Sequence, residues 1–200
     1  MKRTWPVPFG LLLLAAPAAV QAQLEYTVNP DNTINITGYS GPPWTVTIPT
    51  NINGLTVTTI GPGAFSENYN LSSITLLEGV ANIGQQAFYE CTSLASVTIP
   101  ASVTNMGTEA FYYCIKLTNA MISAGVTSIG PQSFEYCTSL AIVTIPGSVS
   151  CLGPYAFSDS TSLTKAIIAN GVTEIGYGAF SGCSGLATMP YRNSGIDLAN

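Results

Sequence analysis

Five cysteines, ten acidic residues and ten tyrosines are the side chains best able to react, ligate or recognise, and the chain contains no histidine. That absence removes the Ser-His-Asp and Cys-His nucleophile pairs, the imidazole metal ligand and the side chain that normally titrates near neutrality. Cys91, Cys114 and Cys137 follow one another at a spacing of 23 residues, Cys183 falls in the same phase, and Cys151 falls outside it. Thiols repeated at one step per structural unit would form a column about 5 Å apart, whereas a disulfide wants Cβ atoms about 3.8 Å apart. A straight column also cannot surround an ion tetrahedrally. Buried free thiols are therefore expected, with neither disulfides nor metal. Glu67 and Glu90 share the spacing of 23, and Asp159 shares their phase. Two carboxylates about 5 Å apart would suit a retaining glycosidase. Nothing around this pair suggests a cleft, so they read as solvated surface. No catalytic residue, metal ligand or cofactor site emerges, and an enzyme is not expected.

The same spacing governs the rest of the chain. Ile60-Gly61, Ile83-Gly84, Met106-Gly107, Ile129-Gly130, Leu152-Gly153 and Ile175-Gly176 recur every 23 residues without insertion or deletion. Counting each repeat from that apolar residue, position 6 is Phe65, Phe88, Phe111, Phe134, Phe157 and Phe180. Position 12 is Leu71, Leu94, Leu117, Leu140, Leu163 and Leu186. Position 17 runs Leu76, Ile99, Ile122, Ile145 and Ile168, and position 21 runs Val80, Val103, Val126, Val149 and Val172. A period of this size means a solenoid, because one such unit cannot bury its apolar face alone and must stack on its neighbours.

Ser96-Val97-Thr98-Ile99 alternates with period two, so positions 14 to 17 are predicted to form a half-buried strand, stacked into a parallel sheet. Gln86-Ala87-Phe88-Tyr89-Glu90-Cys91 is richer in helix formers, and the spacing of Phe88 and Cys91 predicts a single helical turn there. Glycine at position 2 is expected to relax the backbone before that turn. After the strand, Pro49, Pro100 and Pro146 alternate with Leu77, Ser123 and Ala169, and Ser102 and Ser148 alternate with Gly79, Gly125 and Gly171. The unit is then a pair of coils with two turn designs, one fixing φ with proline and one using glycine for positive φ. Leu24 to Thr59 reads as a cap: two alternating segments around Asn29-Pro30-Asp31-Asn32 suggest a β-hairpin, and Asn51-Ile52-Asn53-Gly54 the tip of a five-residue insertion in the first coil. A hairpin there would cover the open sheet edge. The expected organisation is a signal peptide over 1–22, cap and atypical first coil over 23–59, solenoid over 60–188 and an irregular tail over 189–200.

The signal peptide follows from Lys2 and Arg3 ahead of the apolar run Phe9 to Val20, which ends in Val20-Gln21-Ala22. Small residues at that point place cleavage after Ala22, and the run is too short for a membrane span of roughly 20 residues. Removing it leaves Lys116, Lys165 and Arg192 against ten acidic residues. An acidic chain with 8% charged residues and 46% apolar ones lacks the basic stripe that nucleic acid requires, and is too apolar for disorder.

The sequence Ile83-Gly84-x-x-Ala87-Phe88-x-x-Cys91-x-Ser93-Leu94-x-x-Val97-x-Ile99-Pro100-x-x-Val103 resembles the BspA-like leucine-rich repeat. The likeness runs from Val46 to Leu186 and departs from the pattern at Asn68 and Ser160, where cysteine is usual, and at Ala120 and Ala166. It implies a β-rich, right-handed repeat solenoid with a parallel sheet on exported or surface proteins, serving adhesion or protein recognition, and it brings no catalytic residue.

Two surfaces follow from the repeat geometry. On the sheet, outward positions 14 and 16 give Ser96, Thr98, Asn119, Met121, Ile142, Thr144, Lys165 and Ile167, an extended face of the kind repeat proteins bind with. On the outer turn, positions 7 and 8 give Tyr89, Tyr112, Tyr113 and Tyr136. The expected function is an exported module, secreted, periplasmic or on the cell surface, that recognises a protein or other extracellular macromolecule. A structural, self-assembling envelope protein is the alternative. Nucleic acid and a membrane span in the mature chain are not expected. The sixth repeat fails after Leu186, so an uncovered edge should support a weak homodimer through residues 175–200.

Overall fold

The computed structural model describes residues 23–42 and 44–187. The proposed signal peptide, its cleavage point and the tail over 189–200 lie outside the described residues. Within them the chain is a β-solenoid of fifteen strands and two sheets. Strands β1 (Leu24–Val28) and β2 (Ile34–Tyr39) form the N-terminal hairpin, followed by β3 (Thr45–Ile48), β4 (Asn51–Ile52) and β5 (Leu55–Ile60). Each later coil gives one four-residue and one two-residue strand. The pairs are β6 (Ser73–Leu76) with β7 (Asn82–Ile83), β8 (Ser96–Ile99) with β9 (Asn105–Met106), and β10 (Asn119–Ile122) with β11 (Ser128–Ile129). β12 (Ile142–Ile145) with β13 (Cys151–Leu152), and β14 (Lys165–Ile168) with β15 (Glu174–Ile175), complete the series.

The four-residue strands stack in parallel in the order β14-β12-β10-β8-β6-β3. Their register is one period per strand, with Ala120 beside Val97 and Val143 beside Ala166. Inside and outside alternate along each: β8, β10 and β12 all bury their second and fourth residues. Ala120 and Ala166 stay in that buried set. The two-residue strands make the second sheet, which begins on the hairpin: β1 pairs antiparallel with β2, and β2 parallel with β5. The hairpin thus covers the first edge by giving it a partner. The insertion is a second, smaller hairpin between β4 and β5, with Asn53 and Gly54 at positive φ as a tight two-residue turn requires.

Position 6 builds the centre. Successive phenylalanine rings from Phe65 to Phe180 stack at centroid distances of 4.9 to 5.4 Å. Tyr39 of the hairpin closes the stack on Phe65 at 5.5 Å. The position 9 column runs alongside. All five cysteines are free, and Cys91, Cys114, Cys137 and Cys183 are buried, each Sγ donating to the position 6 carbonyl of an earlier coil at 3.0 to 3.3 Å. Ser160 makes the same bond to the Phe134 carbonyl at 3.1 Å, so its departure from the repeat pattern preserves the interaction.

The helical turn expected between positions 4 and 9 is absent. At position 4, Gly63, Gln86, Glu109, Gln132, Tyr155 and Gly178 all have positive φ, as do Glu67, Glu90, Tyr113, Tyr136, Asp159 and Gly182 at position 8. A left-handed residue every fourth place breaks any right-handed helix. The N–H groups of positions 4, 6 and 8 instead reach the next coil: Gln86 to Thr108, Phe88 to Ala110 and Glu90 to Tyr112, at 2.8 to 2.9 Å. The groups between them close tight turns within the coil, as Ala87 to Gly84 and Tyr89 to Gln86. This third side is an arch of successive turns, bonded coil to coil like a sheet. Strain at the left-handed positions is offset by hydrogen bonds that a helix could not send to its neighbours.

Position 2 glycine also has a different role from the one expected. Its φ is not in the left-handed region in any coil. A Cβ on Gly84 would lie 2.7 Å from the Gly61 carbonyl carbon, and one on Gly130 would lie 2.7 Å from both Gly107 C and Gly107 O. Backbone passes over backbone here, and only hydrogen fits. The two turn designs are visible, with a refinement. Gly79 and Gly171 adopt positive φ, whereas Gly125 does not and is held to glycine by the Ala101 carbonyl beneath it. Ser102 stitches one design to the other, accepting from the Gly79 N–H at 3.0 Å and donating to the Val80 carbonyl at 2.7 Å.

Burial pushes the Cys91 thiol from 9.0 up to about 12 and that of Cys183 to about 11, and holds Cys114 well above its ordinary value. A raised thiol pKa stabilises the fold fully below the unfolded value, and that contribution is lost as pH climbs from about 9 toward about 12. Stability is therefore expected to fall through this alkaline window. At pH 8, native protein should take alkylating reagent only at half-exposed Cys151, and all five thiols should react once it is unfolded. Mass spectrometry before and after denaturation checks this, and equal native labelling of Cys114 and Cys151 would contradict it.

Candidate functional site: the sheet face and the arch

The outward residues of the four-residue strands form one face. Thr98, Asn119, Met121, Ile142, Thr144, Lys165 and Ile167 are all exposed on it. The register puts Met121 beside Thr98, Asn119 beside Ile142, Ile142 beside Lys165 and Thr144 beside Ile167. Chemistry changes along the face. Its N-terminal half carries small hydroxyl residues, Thr45, Thr47, Ser73, Thr75, Ser96 and Thr98. Its C-terminal half carries Met121, Ile142 and Ile167, which are 57%, 51% and 40% exposed on three successive strands. An inward orientation would have buried these side chains, so the twofold alternation leaves them in water.

The arch carries the tyrosines, and they pack largely on one another. Tyr89 and Tyr112 stack face to face at 5.0 Å, Tyr136 meets Tyr112 edge-on at 5.6 Å, and Tyr113 meets Tyr136 at 5.9 Å. Tyr113 is 41% exposed and the other three are half-buried. Burial pushes the Tyr112 hydroxyl up to about 12 and, together with a hydrogen bond to Glu90, raises Tyr89. Sequence reasoning placed Glu67, Glu90 and Asp159 in one outer row but missed Glu109 and Glu135, which interleave with these rings. Glu109 accepts from Gln86 Nε2 at 2.6 Å and Glu135 from Gln132 Nε2 at 2.8 Å. Glu135 is only 8% exposed, and its carboxyl is raised mainly by burial, with Asp159 and Glu109 adding like-charge repulsion. The signal was available in the repeat, since positions 4, 7 and 8 bring Glu109, Glu135 and Glu90 onto the same side.

Of the two acids aligned in sequence, Glu67 is exposed and accepts from the Tyr69 hydroxyl at 3.1 Å, and Glu90 is half-buried. The described residues hold no group of three His, Cys, Asp or Glu side chains placed to bind a metal, and no helix long and apolar enough to cross a membrane.

A family model of the BspA type leucine rich repeat region matches residues 58–187 in six copies. The chain belongs to this family. Across the six copies position 6 is phenylalanine throughout, and position 9 is cysteine in four, with Asn68 and Ser160 in the other two. Among solved structures, the leucine-rich repeat protein of T. pallidum is 28% identical with a TM-score of 0.78, the match covering 92% of this chain and 99% of that one. A leucine rich cell surface protein of Faecalibacterium prausnitzii is 32% identical with a TM-score of 0.74, over 83% of this chain and 52% of that one. A leucine-rich repeat protein from Eubacterium ventriosum, 22% identical with a TM-score of 0.65 over 86% of this chain and 53% of that one, shares the fold. No curated protein matches the chain.

Proposed function

We propose that this BspA-type solenoid is an exported recognition module that binds a protein or other extracellular macromolecule through its six-stranded sheet face. The observation that carries the reading is the exposure of Met121, Ile142 and Ile167 on three successive strands of one rigid parallel sheet, with Asn119, Thr144 and Lys165 between them. Apolar side chains flanked by hydrogen-bonding ones are the composition of a protein-binding patch. Export with cleavage after Ala22 is part of the reading. It is supported by the leader-like residues 1–22 and by the cell surface description of the F. prausnitzii relative. A scaffold stapled by backbone bonds on three sides is already ordered before a partner arrives, so little ordering cost opposes association.

The test uses the exported protein, with an intact mass beginning at Gln23, as bait for extracellular material from its own source. Met121→Glu combined with Ile142→Lys should reduce capture at least tenfold while leaving the thermal transition in place, because both side chains point away from the core. Undiminished capture by the folded double variant would move recognition off the sheet.

A further inference from the structure

The arch presents a second surface of different chemistry. Five of the ten tyrosines lie on it, Tyr89, Tyr112, Tyr113, Tyr136 and Tyr155, with Tyr113 and Tyr155 exposed, and exposed Tyr177 and Tyr69 stand at its two margins. Between them run five carboxylates on five successive coils: Glu67, Glu90, Glu109, Glu135 and Asp159. Charge acts across coils, since Glu109 and Glu67 both raise the Tyr89 hydroxyl, and Asp159 and Glu109 add to the rise that burial gives Glu135. Of the two lysines among the described residues, Lys165 is on the sheet face and exposed Lys116, at position 11, stands one place beyond the position that Tyr69 holds. The result is a row of five acids with one flanking lysine, and π faces and hydroxyls set into it.

We propose that the arch binds an extended, Lys/Arg-rich segment of a partner polypeptide, its cationic side chains held between the carboxylates and over the exposed tyrosine rings. The complementarity is specific to cations in two ways. Carboxylates attract the charge, and a ring face attracts it again when an ammonium or guanidinium sits within about 6 Å. Length fits as well. From Glu67 to Asp159 is four coil steps, roughly 19 Å at the strand spacing, or about six residues of extended chain. This surface is distinct from the sheet face, so each can fail alone.

Fluorescence anisotropy with a labelled peptide of alternating Lys and Ser, against the same peptide with Glu for Lys, tests the proposal. The Lys peptide should bind, weaken at least tenfold between low salt and 0.5 M salt, and the Glu peptide should not bind. The combined variant Glu67→Gln, Glu90→Gln and Asp159→Asn should lose at least tenfold in affinity. It should fold, because Gln86 and Gln132 already occupy left-handed positions of the same arch. Tyr113→Ala should weaken binding severalfold further, and Met121→Glu with Ile142→Lys should leave it unchanged. Absence of Lys-peptide binding would overturn the proposal, as would equal affinity in the triple variant. Preference for a neutral oligosaccharide, insensitive to salt, would overturn it in favour of sugar stacking.

Discussion

Phe134→Ala is expected to lower the unfolding free energy by about 3–5 kcal/mol, the range for truncating a fully buried aromatic ring. Phe134 is fully buried and stacked between Phe111 at 5.2 Å and Phe157 at 5.1 Å, both nearly parallel. Truncation removes packing on both sides at once. The cavity has no easy way to collapse, because the N–H of Phe134 is bonded to the Ala156 carbonyl and the N–H of Phe111 to Ser133, which hold the coils at their spacing. Urea denaturation followed by far-UV circular dichroism measures the loss. A loss below about 1 kcal/mol would mean that the column carries far less of the fold than its burial indicates.

Gly130→Val is expected to cost about 3 kcal/mol or more, at or beyond the upper end for overpacking. The first added carbon meets Gly107 C, Gly107 O and Met106 O, each at 2.7 Å, and all three are backbone. Relief demands that two coils separate, which strains the adjacent pairing of β9 with β11, where Ile129 lies beside Met106. Gly63→Gln is the matched control. Gly63 has positive φ, yet its Cβ would meet nothing closer than 4.0 Å, and Gln86 and Gln132 hold the same place in later coils at the same φ. Near-wild-type stability of the control beside a large loss at Gly130 separates steric exclusion from conformational freedom. Equal losses would refute the distinction.

The period, the buried columns and the hairpin cap were legible because each is a pattern of apolar residues against the chain itself. Phe65 to Phe180 and Leu71 to Leu186 recur without slippage, and stacking buries every member but the last leucine, which is half-buried. The outward identity of Met121, Ile142 and Ile167 followed from the same period-two count. The arch was misread for a physical reason. Gln86, Glu90 and Tyr113 carry no local mark of a left-handed backbone, and the bonds that hold them there run to residues 22 positions away, as Glu90 to Tyr112 does. Local helix preference was the wrong guide where contacts between coils decide. Reading down the columns would have helped, since Gly63 and Gly178 share position 4 with those polar residues and Gly182 shares position 8. Glu109 and Glu135 were overlooked for the same reason: they stand at different positions of the repeat from Glu67, Glu90 and Asp159, and only folded turns bring them to one side.

The ladder of coil-to-coil bonds also sets how the molecule answers to force. Every contact between coils is made with an immediate neighbour, so tension applied at the two ends loads them in series. One coil can peel away while the rest stay folded. Each release adds 23 residues of chain, roughly 80 Å when drawn straight, in place of one step of about 4.8 Å. Extension under load is therefore expected to come in steps of one coil.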